Sequence, residues 1–133
     1  MHFPQPPQKG AQKPAGLGKE ESFTMKEILR RTWAEIDLDA LAQDFSQVRE
    51  ATNKNAMVCC VVKADAYGHG AVPVAKRLEE LGADYLAVAC LDEGAELRRA
   101  GLELPILILG HTPPEQAPEV VELGLTQTVF TPE

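Results

Sequence analysis

The residues of this chain best suited to chemistry lie together in one short, glycine-rich segment. Lys63 follows the apolar run 56–62, and a loop containing Tyr67 and His69 leads from it to Gly70. In α/β proteins, ligands gather at the carboxyl ends of parallel strands. A lysine amine partly shielded from water at that edge can attack a carbonyl or act as a base. A lysine at a strand end also often extends into solvent without any chemical role, and the residues alone leave both interpretations open.

The same loop partly matches the glycine fingerprint of dinucleotide-binding folds. Gly68 and Gly70 precede a predicted helix, and Asp92 lies about twenty residues further along. The third glycine of the fingerprint is replaced by Pro73, however. Several loop residues also separate the strand end from Gly68, where the fingerprint requires a tight turn. Dinucleotide binding is therefore the weaker alternative.

The cysteine and histidine residues do not have the spacing of a metal site. Adjacent residues on a strand point to opposite faces, so Cys59 and Cys60 suit neither a disulfide nor a shared metal ion. The chain has no C-x-x-C motif, and neither Cys90 nor any of the three histidines lies at ligand spacing. We expect no metal, and we predict that the three cysteines are reduced and buried.

The elements that must position Lys63 alternate between strand and helix. Residues 32–37 alternate polar and apolar side chains, as a half-buried strand does. Asp37 can then cap a helix with one apolar stripe, formed by Leu38, Leu41, Phe45 and Val48. The apolar run 56–62 is typical of a parallel strand covered on both faces. Further along, the pattern predicts helices at about 71–81, 92–100 and 115–123, and strands at 85–89, 105–109 and 125–130.

The spacing of these strands indicates the class of fold. The residues that end the four later strands are Lys63, Ala89, Gly110 and Phe130, and they follow one another at intervals of roughly 20 to 26 residues. That interval holds one strand, one helix and two short loops, so an α/β protein with parallel strands is predicted. Both an open doubly wound sheet and part of a barrel have this pattern. A complete eight-fold barrel needs roughly 250 residues, so 133 residues cannot contain a complete one.

Composition and charge restrict the partners of the chain. The formal net charge is -7 and aromatic residues make up 5%. Such a chain lacks the basic patch and the stacking surfaces that bind nucleic acid. No apolar stretch approaches the roughly 18 residues of a membrane span, and the N-terminus has no apolar signal core. We therefore expect a cytoplasmic protein that binds neither nucleic acid nor a membrane.

The first 24 residues differ in composition from the rest. Residues 1–24 are rich in proline and glycine and have no hydrophobic periodicity. They are predicted to be a disordered extension, because they cannot bury enough apolar surface to offset the entropy of ordering. The folded domain is predicted at 25–133, and Met25 is hypothesised to be the natural start. Mass analysis of the native N-terminus tests that hypothesis.

Residues 63–70, with the sequence KADAYGHG, resemble the pyridoxal-phosphate attachment signature of alanine racemases. Other segments match that family in order and spacing: TWAEIDLDAL at 32–41, LAVA at 86–89 followed by LDEG at 91–94, and PILILG at 105–110. The resemblance covers roughly residues 30–130, and the motif at 63–70 is highly specific.

The resemblance implies a fold, an activity and roles for individual residues. The family folds as an eight-fold barrel followed by a mostly β domain, works as a homodimer and interconverts L- and D-alanine, which provides D-alanine for peptidoglycan. Residues 25–133 would then be the N-terminal portion of a (β/α)8 TIM-type barrel, incomplete in this chain. Lys63 would form the internal aldimine with pyridoxal 5'-phosphate and act as the base on D-alanine. Tyr67 would hydrogen-bond the cofactor phosphate, and Val61 and Leu109 would line the cofactor pocket.

Three functional features of the family have no matching residues in this sequence. They are the arginine at the pyridine nitrogen, the later phosphate-binding loops and the tyrosine that acts as the second base across the dimer interface. We therefore expect the 133 residues alone to be inactive, and to be marginally stable or self-associating through an open sheet edge. Two alternatives stay open. One is a truncated, non-catalytic fragment that binds the cofactor at most weakly, and the other is a racemase for serine or for a broader range of amino acids.

Overall fold

A computed structural model describes residues 34–131, which form four right-handed α-helices, one short left-handed turn labelled α2, and one sheet of four parallel strands. In chain order the elements are α1 (Leu38–Ala51), β1 (Cys59–Val61), α2 (Lys63–Gly68), α3 (Ala71–Glu80), β2 (Tyr85–Val88), α4 (Leu91–Arg99), β3 (Ile106–Ile108), a 3-10 turn (Pro114–Gln116), α5 (Ala117–Glu122) and β4 (Thr126–Gln127). The predictions for residues 1–24, for Met25 and for positions 32 and 33 lie outside the described residues.

Helix α1 begins where the sequence predicts, because Asp37 satisfies its first backbone amides. The Oδ1 of Asp37 accepts hydrogen bonds from the N–H groups of Asp39 at 2.9 Å and Ala40 at 3.1 Å. A helix leaves these amides without a partner inside its own backbone. Phe45 is buried against the core, whereas Val48, predicted on the same stripe, is exposed. Leu41, Phe45 and Val48 line one cleft, so the predicted stripe lies on one face of α1, and its closely packed part ends with Phe45.

The order of the strands identifies the architecture. The strands lie side by side in the order β1-β2-β3-β4, and each neighbouring pair is parallel. A doubly wound sheet reverses its strand order at a switch point; the sheet formed within residues 34–131 has no such reversal. Consecutive βα units in unbroken order are the arrangement of a (β/α)8 barrel. The expected incomplete TIM-type barrel is thereby confirmed.

The core lies between one face of the sheet and the helices. Side chains of alternate strand residues share a face. On the helix-covered face, Val62, Leu86 and Ile108 are almost inaccessible to solvent and join one apolar cluster with Phe45 and Leu78 from the helices. A fully buried aliphatic side chain contributes roughly 1.5–3 kcal/mol relative to an exposed one, so this layer holds the strands in place.

The opposite face of the sheet is the open one. Its central row follows the strand register from Val61 to Ala87, Leu107 and Thr126. Val61 is 40% exposed, because the helices described pack only on the other face. The prediction that the strand within 56–62 is covered on both faces is therefore wrong for residues 34–131. The strand itself is also shorter, at Cys59–Val61.

Two other predicted strands differ from the structure at the ends of the sheet. Residues 34–37 lie outside the sheet, where their backbone leads into the cap of α1. In the predicted strand 125–130, only Thr126–Gln127 pairs with β3. The register ends at Ile108 opposite Gln127, and Val129 and Phe130 are exposed beyond it. A short neighbouring strand therefore limits β4 to two residues.

The remaining predicted elements are confirmed with small shifts at their ends. Helices α3 and α4 stop shortly before Gly82 and Gly101, whose φ angles are +81° and +87°. Glycine adopts this left-handed conformation without steric cost, which explains why both helices stop there. Pro118 lies in the first turn of α5, where its missing N–H removes no helical bond.

Candidate active site

Lys63 opens a left-handed turn at the carboxyl end of β1. The following residues, from Ala64 to Tyr67, all have positive φ angles between 50° and 57°. L-amino acids rarely adopt this conformation, because the Cβ atom approaches the next carbonyl oxygen at a cost of roughly 1–2 kcal/mol per residue. The sequence predicted an irregular loop here. The structure shows a compact turn in a conformation that its surroundings must stabilise.

The turn is fixed from within by Asp65 and Ala66. The Oδ1 of Asp65 accepts a hydrogen bond of 2.6 Å from the N–H of Ala71, at the start of α3, and its carbonyl accepts one of 2.9 Å from Gly70. The Ala66 side chain is buried. The Nδ1 of His69 lies 2.8 Å from the Ala66 carbonyl oxygen. His69 is thereby held against the turn's own backbone, which is a structural role.

Glu93 fixes the turn from outside, through its contact with Ala64. The Oε1 of Glu93 accepts a hydrogen bond of 2.8 Å from the Ala64 N–H. Its Oε2 accepts one of 2.7 Å from the N–H of Ala89, which follows β2. One carboxylate therefore joins the ends of two neighbouring strands. Hydrogen bonds to a charged acceptor are shorter and stronger than neutral ones.

The four predicted site residues all lie at or near the open face and its carboxyl edge. Val61 is on the central row of the open face, and Lys63 follows two positions later, at the end of β1. Leu109 follows β3 in the same alternation as Leu107, and it is 38% exposed. Tyr67 ends the left-handed segment with its side chain 60% exposed. The structure therefore brings Lys63 and two apolar residues to one edge, with the tyrosine at the far end of the turn.

A cleft of about 660 Å³ lies beside this edge, between α1 and β1. Val61 and Tyr67 line it together with His69, whereas Lys63 and Leu109 do not. Its other walls include Phe45 of α1. The cleft joins two of the predicted residues, and the lysine stands outside its lining.

The side chains present suit a cofactor with an aldehyde and a phosphate. The Lys63 ammonium forms no hydrogen bond or ion pair with any residue in 34–131, so its nitrogen is available for a covalent bond to a carbonyl carbon. The exposed Tyr67 hydroxyl can donate a hydrogen bond to a phosphate oxygen. Val61 and Leu109 offer apolar surface for an aromatic ring. This donor set fits pyridoxal phosphate, as the sequence resemblance implies.

The thiols near the site are poor nucleophiles. Burial raises the pKa of the Cys60 thiol, and the neighbouring Cys59 raises it further. Burial also raises the pKa of Cys59. All three cysteines are free, as predicted, but Cys59 and Cys90 are exposed and Cys60 is only partly buried. The prediction of burial is wrong because Cys59 lies on the open face and Cys90 caps α4 at the edge of the sheet.

Asp65 and Glu93 are the functional candidates that the sequence did not single out. Both stand inside segments that carry the family resemblance, but neither was given a role. An acidic residue in the first turn after a parallel strand, as Glu93 is, commonly accepts backbone N–H groups. That signal was present in the sequence. The sequence does not reveal which N–H group Glu93 binds, because Ala64 lies 29 residues away.

Residues 34–131 hold no group of three or more His, Cys, Asp or Glu side chains placed to bind a metal ion. None of the helices in that range is long and apolar enough to cross a membrane.

Comparisons with known proteins agree with this geometry. Residues 36–133 match the family described as alanine racemase, N-terminal domain. Alanine racemase of Desulfovibrio desulfuricans is 51% identical over 104 residues, which cover 78% of this chain and 28% of that protein. The chain therefore spans little more than a quarter of the length of this relative.

Solved structures show the same fold. Alanine racemase of Clostridium difficile 630 superposes with a TM-score of 0.73 at 49% identity, over 75% of this chain and 26% of that one. A histidine racemase from Leuconostoc mesenteroides subsp. sake superposes with a TM-score of 0.65 at 31% identity, over 71% and 25% respectively. The family match covers far more than half of the chain, so this chain belongs to the alanine racemase N-terminal domain family.

Proposed function

We propose that this chain supplies the cofactor-attachment lysine of a pyridoxal-phosphate-dependent alanine racemase. The observation that carries the proposal is the position of Lys63. It opens a rigidly held turn at the carboxyl edge of the sheet, and its ammonium has no ion-pair partner within residues 34–131. Membership of the family and the identity to named alanine racemases support the same assignment.

Each predicted site residue has a role that its chemistry permits. Lys63 would bind the cofactor covalently through Nζ. Tyr67, exposed at the end of the turn, would donate its hydroxyl proton to the cofactor phosphate. Val61 and Leu109 would contact the apolar faces of the cofactor ring and exclude water from them.

Lys63 would also move a proton during racemisation. When bound, the cofactor acts as the electron sink for the negative charge that develops at the substrate α-carbon. Once displaced from the cofactor by the substrate amine, Lys63 would be a free amine, would accept the α-proton of D-alanine on one face of that carbon and would become an ammonium. In the reverse direction the Lys63 ammonium returns a proton to the same face.

Inversion requires a second base on the opposite face, and neither tyrosine of this chain suits that role. Tyr67 is proposed at the phosphate. Tyr85 begins β2, at the amino end of the sheet, where its hydroxyl lies 2.6 Å from Oγ1 of Thr126. We therefore propose that the second base comes from residues outside this chain, as the tyrosine of a homodimer partner does in the family resemblance.

The wider setting follows from the same proposal. The product D-alanine would be supplied for peptidoglycan. The reaction would take place in the cytoplasm, a compartment that keeps free cysteines such as Cys59, Cys60 and Cys90 reduced.

Mapping the cofactor attachment site tests the proposal. The full-length gene product is incubated with pyridoxal phosphate, reduced with borohydride, digested and analysed by mass spectrometry. The expected adduct lies on Lys63. Lys63→Ala should abolish it, whereas Lys76→Ala, which removes an exposed lysine of α3, should leave it unchanged. An adduct on another lysine, or equal labelling of the Lys63→Ala variant, would overturn the assignment.

A second candidate concerns the substrate. The fold of this segment is shared with a protein named histidine racemase at 31% identity, so the fold alone does not select alanine. A racemase acting on serine or on a broader range of amino acids is the alternative. Racemisation rates for alanine, serine and histidine, measured by chiral chromatography, separate the two. A strong preference for alanine supports the main proposal.

The other alternative is a non-catalytic fragment. The chain corresponds to 28% of its Desulfovibrio relative, and racemisation needs two bases. We propose that residues 1–133 expressed alone are inactive and bind the cofactor at most weakly. Measurable racemisation by the isolated 133-residue chain would contradict this.

A further inference from the structure

We infer that Glu93 is a positioning residue, which holds the Lys63 turn in register with the neighbouring strand ends. The inference rests on the proposed function, because it assigns a reason for fixing Lys63. It concerns a side chain that touches neither the substrate nor the cofactor as proposed. Glu93 acts through the backbone amide of Ala64, the residue directly after Lys63.

The geometry of the carboxylate is specific. Its two oxygens accept N–H groups from two different loops, Ala64 at 2.8 Å and Ala89 at 2.7 Å. These loops follow β1 and β2, which are neighbours in the sheet. Each N–H lies just past the end of its strand, where the ladder of backbone hydrogen bonds stops. The carboxylate therefore continues the hydrogen bonding between the two strands beyond their last paired residues.

The link continues to the third strand through Ala89. The carbonyl oxygen of Ala89 accepts a hydrogen bond of 3.0 Å from the N–H of Gly110, and Leu109 donates to the Val88 carbonyl at 2.8 Å. Leu109 is the residue proposed to line the cofactor pocket beside Lys63. Glu93 thus connects the backbone at Lys63 to the backbone at Leu109, by way of a single peptide unit.

The hydrogen bond from Ala64 to Glu93 matters because the turn after Lys63 is strained. Four consecutive residues with positive φ persist only if surrounding contacts outweigh their steric cost. The Ala64 amide is the first of the four, and Ala64 is exposed, so packing does not hold it. Its amide has one hydrogen-bond acceptor within residues 34–131, the Glu93 carboxylate. Without this bond the start of the turn is free to relax, and Lys63 moves with it.

A general effect of acidic residues at a helix start does not account for the arrangement. Asp92 is also in the first turn of α4 and interacts equally with the helix dipole. Its side chain is exposed and accepts no hydrogen bond from either loop. Asp92 is therefore the matched control, since neutralising it removes the same charge from the same turn.

The experiment compares Glu93→Gln and Asp92→Asn in the full-length gene product. Hydrogen exchange of the Ala64 amide is measured without added cofactor. Glutamine carries no charge and has one acceptor oxygen instead of two, so it cannot hold both loops by charge-assisted bonds; exchange at Ala64 should accelerate in Glu93→Gln by on the order of tenfold, with Asp92→Asn unchanged. Pyridoxal phosphate is then titrated, with the borohydride-stable Lys63 adduct as readout. Half-maximal labelling of Glu93→Gln should require about ten times more cofactor than the wild type.

Every outcome of this experiment either supports or overturns the role inferred for Glu93. Equal amide exchange in wild type and Glu93→Gln overturns the inference, as does an equal effect of Asp92→Asn. If the wild type shows no Lys63 adduct, the proposed function fails, while the amide exchange still tests the role of Glu93 in the turn. If Glu93→Gln does not fold, Glu93→Asp is measured instead. Its shorter side chain cannot reach both loops, so unaltered exchange at Ala64 would again overturn the inference.

Discussion

Replacing Ala64 by glycine should stabilise the protein, although the same exchange destabilises an ordinary helix. Ala64 has a φ of 51° and an exposed side chain, so the methyl group causes strain and contributes no packing. Relief of that strain is worth roughly 1–2 kcal/mol. Glycine costs roughly 0.5–1 kcal/mol through the greater freedom of the unfolded chain. The expected net change is a gain of about 0.5–1 kcal/mol in the free energy of unfolding.

Two further alanines calibrate this expectation. Ala40 is exposed within the right-handed helix α1, where glycine should cost about 1 kcal/mol. Ala66 shares the positive φ, but its methyl group is buried, and losing roughly 0.8 kcal/mol of burial offsets the relief. The structure therefore predicts a gain for Ala64→Gly, little change for Ala66→Gly and a loss for Ala40→Gly.

Urea unfolding of the full-length gene product provides the assay. The free energy of unfolding is obtained from the midpoint at constant slope, for the wild type and the three variants. Ala64→Gly and Ala40→Gly should differ by about 1.5–2 kcal/mol, with opposite signs relative to the wild type. If Ala64→Gly destabilises the protein as much as Ala40→Gly does, the turn is not left-handed at Ala64 and the strained turn after Lys63 is refuted.

Two other predictions concern the surroundings of the site. A Cβ on Gly110 would lie 2.5 Å from the Ala89 carbonyl oxygen, so Gly110→Ala should lower the urea midpoint by the equivalent of about 1–3 kcal/mol. Gly94→Ala, where the methyl group meets only side chains, should change it far less, and equal losses would contradict this explanation. A hydrogen bond from the Val58 N–H holds the pKa of the Asp84 carboxyl below its usual value of 3.8. The stabilisation that this bond gives the folded protein is therefore complete above pH 3.8 and is lost as the pH falls through the lowered pKa. Asp84→Asn should therefore flatten the acid side of the curve of stability against pH, and an unchanged acid side would refute this.

Much of the scaffold could be predicted because its signals are local. Asp37 before an apolar stripe predicts a capped helix, and Gly82 and Gly101 mark where α3 and α4 end. The regular spacing of apolar runs predicts the parallel strands, since each βα unit repeats the same length. These features depend on residues close together in the chain, where steric and hydrogen-bonding preferences operate directly.

The left-handed turn was not predictable in this way. Positive φ angles are normally signalled by glycine, asparagine or aspartate, and among the residues from Ala64 to Tyr67 only Asp65 is of such a type. Their conformation depends on contacts within the turn and with the start of α3, and also on one distant contact, the bond from Ala64 to Glu93. The family motif predicts where the chemistry lies, but the motif carries no information on the backbone that presents it.

The exposure of the strands was mispredicted for a related reason. Val61 and Val62 are the same amino acid in adjacent positions, yet one is 40% exposed and the other 2%. Composition cannot distinguish them, because the proposed site wall on the open face and the core on the other face are both apolar. Only the register of the strand assigns Val61 to one face and Val62 to the other.

This alternation separates stability from function along each strand. Val62 and Ile108 pack against helices and hold the sheet, whereas Val61 and Leu109 face the side on which Lys63 stands. A lysine directly after Val62 is therefore anchored by the core through one neighbour, at the carboxyl end of β1. Beyond the last strand residue the backbone pairing ends, so a side chain must fix the position of the loop. Glu93 does this through its two hydrogen bonds to backbone N–H groups. A strained turn held at both ends fixes the backbone at the lysine, which the proposed proton transfer to one face of a substrate carbon would require.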